Sequence, residues 1–391
     1  MNRLVYLDNA ATSFPKPRSV TEEVRRCIRY YCGNPGRSPH AAAREAENRI
    51  YECRERVSRF FGSERPEGVV FTMNATQAIN LALKGILRRG DHVILSDMEH
   101  NAVYRPIRRL AADGTITYDL FQTVRNGRAL DEGEILASIR RLMIPGRTKM
   151  LICAHVPNLC SAERPIAAIG GLCRKHGIIF LLDAAQSAGH LPIDVKSSHV
   201  DILCAPGHKG LFGIQGCGFM LVEGDILPSP LIEGGNGIDS LEWSMPSLLP
   251  ERLEAGTLPT PAIVSLSEGI GFLSRLDMDA VHSAQQALFR RTRDMLLRSK
   301  ELCAKVYLPE CEGSVLLFNL EGIPSEEVGR RLAERGICVR SGYHCSALGH
   351  KALGTLDGGA VRVSFSPFNR EHDIDALIDA LYECTGKIRC R

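Results

Sequence analysis

An α/β fold built on a mainly parallel sheet is what this sequence predicts, and three observations carry the prediction. Short apolar runs alternate with helix-length segments through the first half of the chain. Some of those runs, such as Ile178-Ile179-Phe180-Leu181-Leu182, are apolar at every position, as strands covered on both faces must be. And a lysine set among glycines, Lys209, lies between two apolar strand-like segments downstream of a strand that ends on an acid, Asp183.

Taken in order, Val69-Val70-Phe71 reads as strand and Thr76 to Arg88 as helix. His92-Val93-Ile94-Leu95 is strand, Asn101 to Ala111 helix, and Thr115 to Leu120 strand. Lys149 to His155 is strand, Ala167 to His176 helix, and Ile178 to Leu182 strand. Strands separated by helices of this length imply βαβ crossovers. The stretch from Pro228 to Pro259 is rich in Gly, Pro and Ser and reads as a long irregular loop, a kind usually kept for function. After about Pro261 the pattern changes to long helical segments, Ile263 to Leu276 and His282 to Leu302. A mixed segment follows, with strands expected at Val315–Leu320 and Val361–Phe365, which suggests a smaller domain of helices on an antiparallel sheet.

At 391 residues the chain is long enough for two or three domains, and its 44% hydrophobic and 24% charged content is that of a globular protein. A net charge of +3 gives no support for a nucleic-acid or membrane-surface partner. No apolar run approaches a membrane span, and the start of the chain shows no leader, so a cytoplasmic protein is expected. The 14 cysteines are scattered without a CxxC pair, which fits small buried hydrophobes better than a disulfide framework or a zinc site, and no metal is expected.

Several segments carry chemistry. Phe71 to Asn80 passes from strand to helix, where free N–H groups with the Thr76 hydroxyl suit a phosphate and where Asn74 or Thr76 equally suits a helix cap. Asp183, at a strand's C-terminal end, stands where open α/β sheets bind ligands, and Gln186 follows it. His100 offers a flat imidazole that either faces a cofactor ring or caps a helix. Lys209, with His208 beside it, would become a usable amine nucleophile if desolvated. An acid for a ring nitrogen and a Schiff-base lysine for an aldehyde are what pyridoxal phosphate asks of a protein. Far downstream, Arg340-Ser341-Gly342-Tyr343-His344-Cys345 presents a thiol whose pKa Arg340 and His344 could lower, or one more structural cysteine. Arg362, inside an apolar strand, needs a partner, either a substrate carboxylate or a structural acid.

These segments, in this order, resemble the class V aminotransferase family of fold-type I pyridoxal-phosphate enzymes, and within it the cysteine desulfurase and selenocysteine lyase branch. The resemblance runs from Tyr6-Leu7-Asp8-Asn9-Ala10-Ala11-Thr12 to the C-terminal part. It is most specific at Asp183-Ala184-Ala185-Gln186, Gly207-His208-Lys209 and Arg340 to Cys345, the last in the short-loop form of group II. It implies a large domain, 15–260, with a mainly parallel seven-stranded sheet flanked by helices, and a small α+β domain made of 1–14 and 261–391. By the same resemblance Lys209 bonds the cofactor, Asp183 pairs with the ring nitrogen, Gln186 contacts the ring oxygen and His100 stacks on the ring. Ala75, Thr76 and His208 hold the phosphate, completed by Gly256 and Thr257 from the partner of a homodimer. Asn158, Arg340 and Arg362 bind substrate, and Lys209, Cys345 and His100 are the catalytic set. The implied reaction converts L-cysteine to L-alanine, leaving sulfur as a Cys345 persulfide for an acceptor protein. Selenocysteine lyase on L-selenocysteine, and aminotransferase, epimerase or β-lyase chemistry, are the alternatives; a non-catalytic scaffold would lack the need for an intact Lys209, Asp183 and Cys345. Two positions depart from the pattern: Pro206 in place of a hydroxyl residue, and Tyr343 in place of a histidine.

Overall fold

The computed structural model describes residues 4–36, 38–238 and 240–386. Its first half runs β1 (Val5–Tyr6), α1 (Arg18–Tyr30), α2 (Ala41–Phe60), β2 (Val69–Thr72), α3 (Ala75–Ile86), β3 (Asp91–Ser96), α4 (Asn101–Ala112) and β4 (Ile116–Phe121). A small hairpin, β5 (Val124–Arg125) and β6 (Arg128–Ala129), precedes α5 (Glu132–Leu142), β7 (Thr148–Ala154), α6 (Ile166–His176), β8 (Ile179–Asp183), β9 (Ile202–Pro206) and β10 (Gly218–Val222). Then come α7 (Thr260–Leu273), α8 (Met278–Arg298), β11 (Ala304–Tyr307), β12 (Val315–Leu320) and α9 (Ser325–Glu334). The chain closes with β13 (Ile337–Cys338), β14 (Arg340–Gly342), α10 (Ala347–Leu353), β15 (Ala360–Ser364) and α11 (Glu371–Thr385).

The seven-stranded sheet has the order β2-β10-β9-β8-β7-β3-β4. Its strands are parallel from β9 through β4, while β10 runs antiparallel to both of its neighbours. Alternate residues of each strand feed opposite faces. Phe180, Leu182, Leu203 and Phe219 join one buried cluster, and Leu181, Ile202, Cys204 and Met220 join another. That double burial is why the runs are apolar at every position rather than at every second one. Gly218 begins β10 without a side chain because a Cβ there would lie 2.6 Å from the Asn74 carbonyl carbon, where α3 starts.

The second sheet, β11-β12-β15-β14, is antiparallel throughout. Phe318, Val361, Val363 and Phe365 pack there with α8 and α11 side chains, and Val5 and Leu7 from the N-terminus belong to the same cluster. The N-terminal strand is held by parallel pairing of Val5 with Ile337 and by a bridge from Asp8 to Ser364. Residues 223–259 carry no helix or strand among those described, as their composition foretold. The expected elements recur within a few residues of their bounds, and the principal additions are α1 and α2, for which the sequence reading made no assignment.

Candidate functional site

The C-terminal ends of β3, β7, β8 and β9 and the start of α3 converge on a cavity of about 560 Å³, the edge where a parallel sheet exposes its ligand-binding loops. Ala75, Thr76, His100, Asn158, Asp183, Gln186, His208 and Lys209 all line it. Sequence separation hides this grouping, since the eight come from five separate strand ends and helix starts.

At the base, Asp183 is the last residue of β8 and only 4% exposed. Its Oδ1 accepts the Ala185 N–H at 2.9 Å. Burial pushes its carboxyl upward, and that N–H and the nearby Lys209 pull it back. Burial also drives the Lys209 amine down to about 8, opposed by Asp183 and reinforced by Arg362 and Arg340. A lysine so placed is partly neutral near physiological pH and is a competent nucleophile.

His100 does both things its sequence allowed. It is the N-cap of α4, its Nδ1 accepting the Ala102 N–H at 3.0 Å, and its ring lines the cavity. Burial, with Lys209 next, lowers it to about 4, so it is neutral with its hydrogen on Nε2. Asn74 caps α3 by accepting the Gln77 N–H at 3.0 Å, which leaves the Ala75 and Thr76 N–H groups without intrahelical acceptors. His208 faces the same end, its Nδ1 3.1 Å from the Thr12 hydroxyl, while its carbonyl accepts from Thr12 Oγ1 and from Lys16 Nζ at 2.8 Å. Pro206, on the cavity wall, brings no donor. Gln186 spends its amide N–H on the Ala10 carbonyl at 3.0 Å.

Of the residues expected to bind substrate, Asn158 lines this cavity and Arg340 and Arg362 do not. Arg362 is 1% exposed and ion-paired with Asp8 through Nη2 at 2.8 Å, with Nη1 on the Asn158 carbonyl at 3.1 Å. The structural acid foreseen for Arg362 is therefore present, yet Arg362 Nε and Asn158 Oδ1 remain buried without partners. Asn158 also donates to the His344 carbonyl at 2.7 Å.

Cys345 sits on the loop between β14 and α10, exposed, with Arg340 Nη2 3.6 Å from its sulfur. It opens on a second hollow that shares Thr76, His100 and Ala102 with the Lys209 cavity. Gly342 (φ 92°) makes the turn its lack of a side chain permits, but His344 (52°) and Cys345 (56°) take left-handed backbone as well. The expectation that His344 helps acidify the thiol fails. Its ring turns inward, 3.2 Å from the Arg340 carbonyl and 3.2 Å from His350, and burial lowers it to about 3. A neutral imidazole facing away lends the thiol no charge. Tyr343 is 49% exposed and meets the His350 ring edge-on.

Gly256 and Thr257 do not reach this cavity within one chain. They line a separate hollow beside Arg54 and Glu254, both buried, joined by Nη1–Oε1 at 2.9 Å and Nη2–Oε2 at 2.5 Å. Removing one partner strands the other's charge, so Arg54→Ala is expected to cost about 3–5 kcal/mol, read as a lowered denaturant midpoint. Sequence reasoning missed Glu99, the residue before His100, which is fully buried. Its Oε1 accepts from Ser96 Oγ and from the Ala154 N–H (2.9 Å), and burial, with Asp183 adding, raises it to about 8. An acid in a short polar run gave no sign of such burial. Among the described residues no cluster of His, Cys, Asp and Glu could hold a metal, and no helix is long and apolar enough to cross a membrane.

The residues present suit pyridoxal phosphate: a buried carboxylate for the ring nitrogen, a desolvated lysine for the aldehyde, a flat neutral imidazole, and free N–H groups at a helix start for the phosphate. Residues 5–377 match the family described as aminotransferase class-V. A probable cysteine desulfurase of Methanothermobacter thermautotrophicus is 30% identical over 98% of this chain and 95% of its own length. The cysteine desulfurase of Haloferax volcanii is 30% identical over 97% of this chain and 88% of its own. Among solved structures, the apo cysteine desulfurase from Thermococcus onnurineus NA1 superposes with a TM-score of 0.88 at 28% identity, covering 98% of this chain and 95% of that one. The S-sulfonic acid form of the Escherichia coli cysteine desulfurase CsdA gives 0.86 at 26% identity over 97% and 94%.

Proposed function

The chain belongs to the class V aminotransferase family and is pyridoxal-phosphate-dependent, and we propose that it is a cysteine desulfurase that takes L-cysteine to L-alanine and keeps the sulfur on Cys345. The observation that carries this reading is the exposed Cys345 thiol on a hollow that shares the His100 and Thr76 wall with the Lys209 cavity. The test is alanine released from L-cysteine under a dithiol, with the protein-bound persulfide followed by mass.

When bound, pyridoxal phosphate supplies the electron sink that lets the substrate's carbon–sulfur bond part. In this reading Lys209 anchors the cofactor, and Asp183 holds a charge against the ring nitrogen. Gln186 faces the ring oxygen, His100 covers one ring face, and Ala75, Thr76 and His208 take the phosphate. Arg362, with Asn158 and Arg340, orients the substrate carboxylate through N–H groups left over from the Asp8 and His344 contacts. Lys209 moves a proton at the substrate α-carbon. The Cys345 thiolate bonds to the substrate sulfur as the carbon–sulfur bond breaks. Carbon keeps the electron pair and gains a proton, so alanine leaves and a persulfide stays. Arg340 favours the thiolate by its charge. A dithiol, or an acceptor protein's thiol, then takes the outer sulfur and restores Cys345.

We place Gly256 and Thr257 at the cofactor phosphate of a neighbouring subunit, which makes the working unit a homodimer. Support comes from the loop that bears them, where Leu241 (95%), Trp243 (103%) and Leu248 (73%) stand exposed on one chain. Trp243 is the chain's one tryptophan. The expected sedimenting species has twice the 43.0 kDa chain mass, and Trp243 emission should shift to longer wavelength on dilution below the dissociation constant. A concentration-independent emission with a monomer mass would end the dimer reading. The described cysteines are all free thiols, which suits a reducing cytoplasm.

A further inference from the structure

The hydrogen bonds under the Cys345 loop favour one order of protons along a chain of three side chains. The Arg340 carbonyl, 3.2 Å from His344 Nε2, can only accept, so His344 carries its hydrogen there. A neutral imidazole has one N–H, so His344 Nδ1 is a lone pair. It faces His350 Nε2 at 3.2 Å, across rings tilted by only 14°, and that nitrogen must therefore donate. His350 Nδ1 is then an acceptor in its turn, and the Thr355 hydroxyl, 2.7 Å from it and 3.4 Å from the His350 carbonyl, gives its hydrogen to the nearer ring nitrogen. Neutrality of both rings is supplied by their surroundings. Burial, then Arg362, lowers His344, with Arg340 and His350 adding and the Arg340 carbonyl opposing. Burial lowers His350 against the pull of the Thr355 and Tyr343 backbone.

This chain sits under a backbone that side-chain-bearing residues rarely adopt, φ 52° at His344 and 56° at Cys345. The loop is also pinned at its carbonyls. Asn158 Nδ2 holds the His344 oxygen at 2.7 Å, and the Asn101 N–H holds the Cys345 oxygen at 2.8 Å, directly after the ring-facing His100. Both carbonyls and the His344 ring are thus held, and the Cys345 side chain they carry lines the outer hollow.

Resting on the desulfurase reading above, we propose that Thr355, His350 and His344 form a single-tautomer relay that holds the Cys345 loop in its left-handed turn, so that both imidazoles are positioning residues for sulfur transfer. The wrong tautomer at either ring would set two N–H groups, or two lone pairs, face to face in a buried place.

Two measurements test it. In the full-length holoenzyme, labelled with ¹⁵N at histidine and assigned with His344→Phe and His350→Phe, both rings should show the neutral Nε2–H pattern between about pH 6 and 8. An Nδ1–H pattern or a protonated ring at either position overturns the relay, whatever the enzyme's substrate. In turnover with L-cysteine, His350→Phe should lower kcat roughly tenfold with KM and the cofactor absorbance unchanged. His350→Gln, whose amide can donate to His344 and accept from Thr355, should recover to within about threefold of wild type. A wild-type kcat in His350→Phe, or no recovery in His350→Gln, overturns it. If wild type itself releases no alanine, the desulfurase reading falls while the tautomer spectrum still decides the relay.

Discussion

Cys345→Ala is expected to release alanine from L-cysteine at about one hundredth of the wild-type rate or less, and to carry no added sulfur by mass. Its cofactor absorbance should be that of wild type, because Cys345 lines the outer hollow and not the Lys209 cavity. The size of the loss follows from what else is available. Cys32 and Cys303 are the other exposed thiols among the described residues, and neither lines either hollow. Eight of the other described cysteines are buried, several with thiols driven upward by burial, as at Cys153 and Cys204. The remaining two, Cys311 and Cys338, are half-buried, raised by burial and line neither hollow, so no other described cysteine is placed to stand in as nucleophile. Equal release from mutant and wild type would end the persulfide mechanism. L-Selenocysteine separates the nearest alternative, since its weaker carbon–selenium bond needs less help from a thiol. Alanine release from L-selenocysteine that survives Cys345→Ala, with the selenium reduced to selenide by the added dithiol, beside alanine release from L-cysteine that does not survive, would mark a protein serving both substrates.

Much of this was legible in the chain because burial on two faces makes short strands apolar at every position, and their length and the helices between them tell such runs from buried helix. Leu181 and Leu182 point to opposite clusters, and both must be apolar. The acid ending a strand and the lysine among glycines each also had a structural reading, a helix cap for Asp183 and a surface lysine for Lys209, and it was their occurrence together in one order that made them legible. Strand direction was not. Nothing in Gly218 to Val222 says that β10 runs against its neighbours, because a buried strand has the same composition either way up. Helix α1 was hidden by its eight charged or polar-hydroxyl positions out of 13, with only Val20 and Cys27 buried. In α2 the buried residues Ala46, Ile50, Cys53 and Val57 recur at helical spacing, and that signal was there to be read.

Side-chain direction was the other blind spot, and it decides the chemistry around the thiol. Sequence put His344 next to Cys345 and suggested charge support. Folding gave it a left-handed backbone and turned its ring away, leaving Arg340 as the cation near the sulfur. Asp8 and Arg362 are 354 residues apart and meet because the N-terminal strand joins the small sheet, an association no local pattern announces. The same pairing explains how an arginine can be 1% exposed inside an apolar strand without a ligand. It also leaves Nε unpaired for one.

Lys209→Ala should lose turnover altogether, by about 1,000-fold or more, and should hold pyridoxal phosphate only by its non-covalent contacts. The loss is expected to be larger than for Cys345 because the proposed mechanism uses Lys209 twice, once as the anchor and once as the group that moves a proton at the substrate α-carbon. Its lowered pKa gives the wild-type protein a distinctive pH signature. The amine must be neutral to bond an aldehyde, and burial sets its midpoint near 8 rather than the usual 10.5. Below that midpoint the neutral fraction grows about tenfold per pH unit, and above it the fraction saturates. The initial rate at which the cofactor-free protein takes up pyridoxal phosphate, followed by the absorbance of the lysine adduct, should therefore climb to a plateau near pH 8. Asp183 is the group that holds the amine's pKa up against burial. Asp183→Asn removes that charge, so the plateau should begin at lower pH even as the cofactor is held more weakly. A rate still climbing at pH 10 in wild type would mean a solvated lysine, and with it a site too open for the chemistry assigned to it.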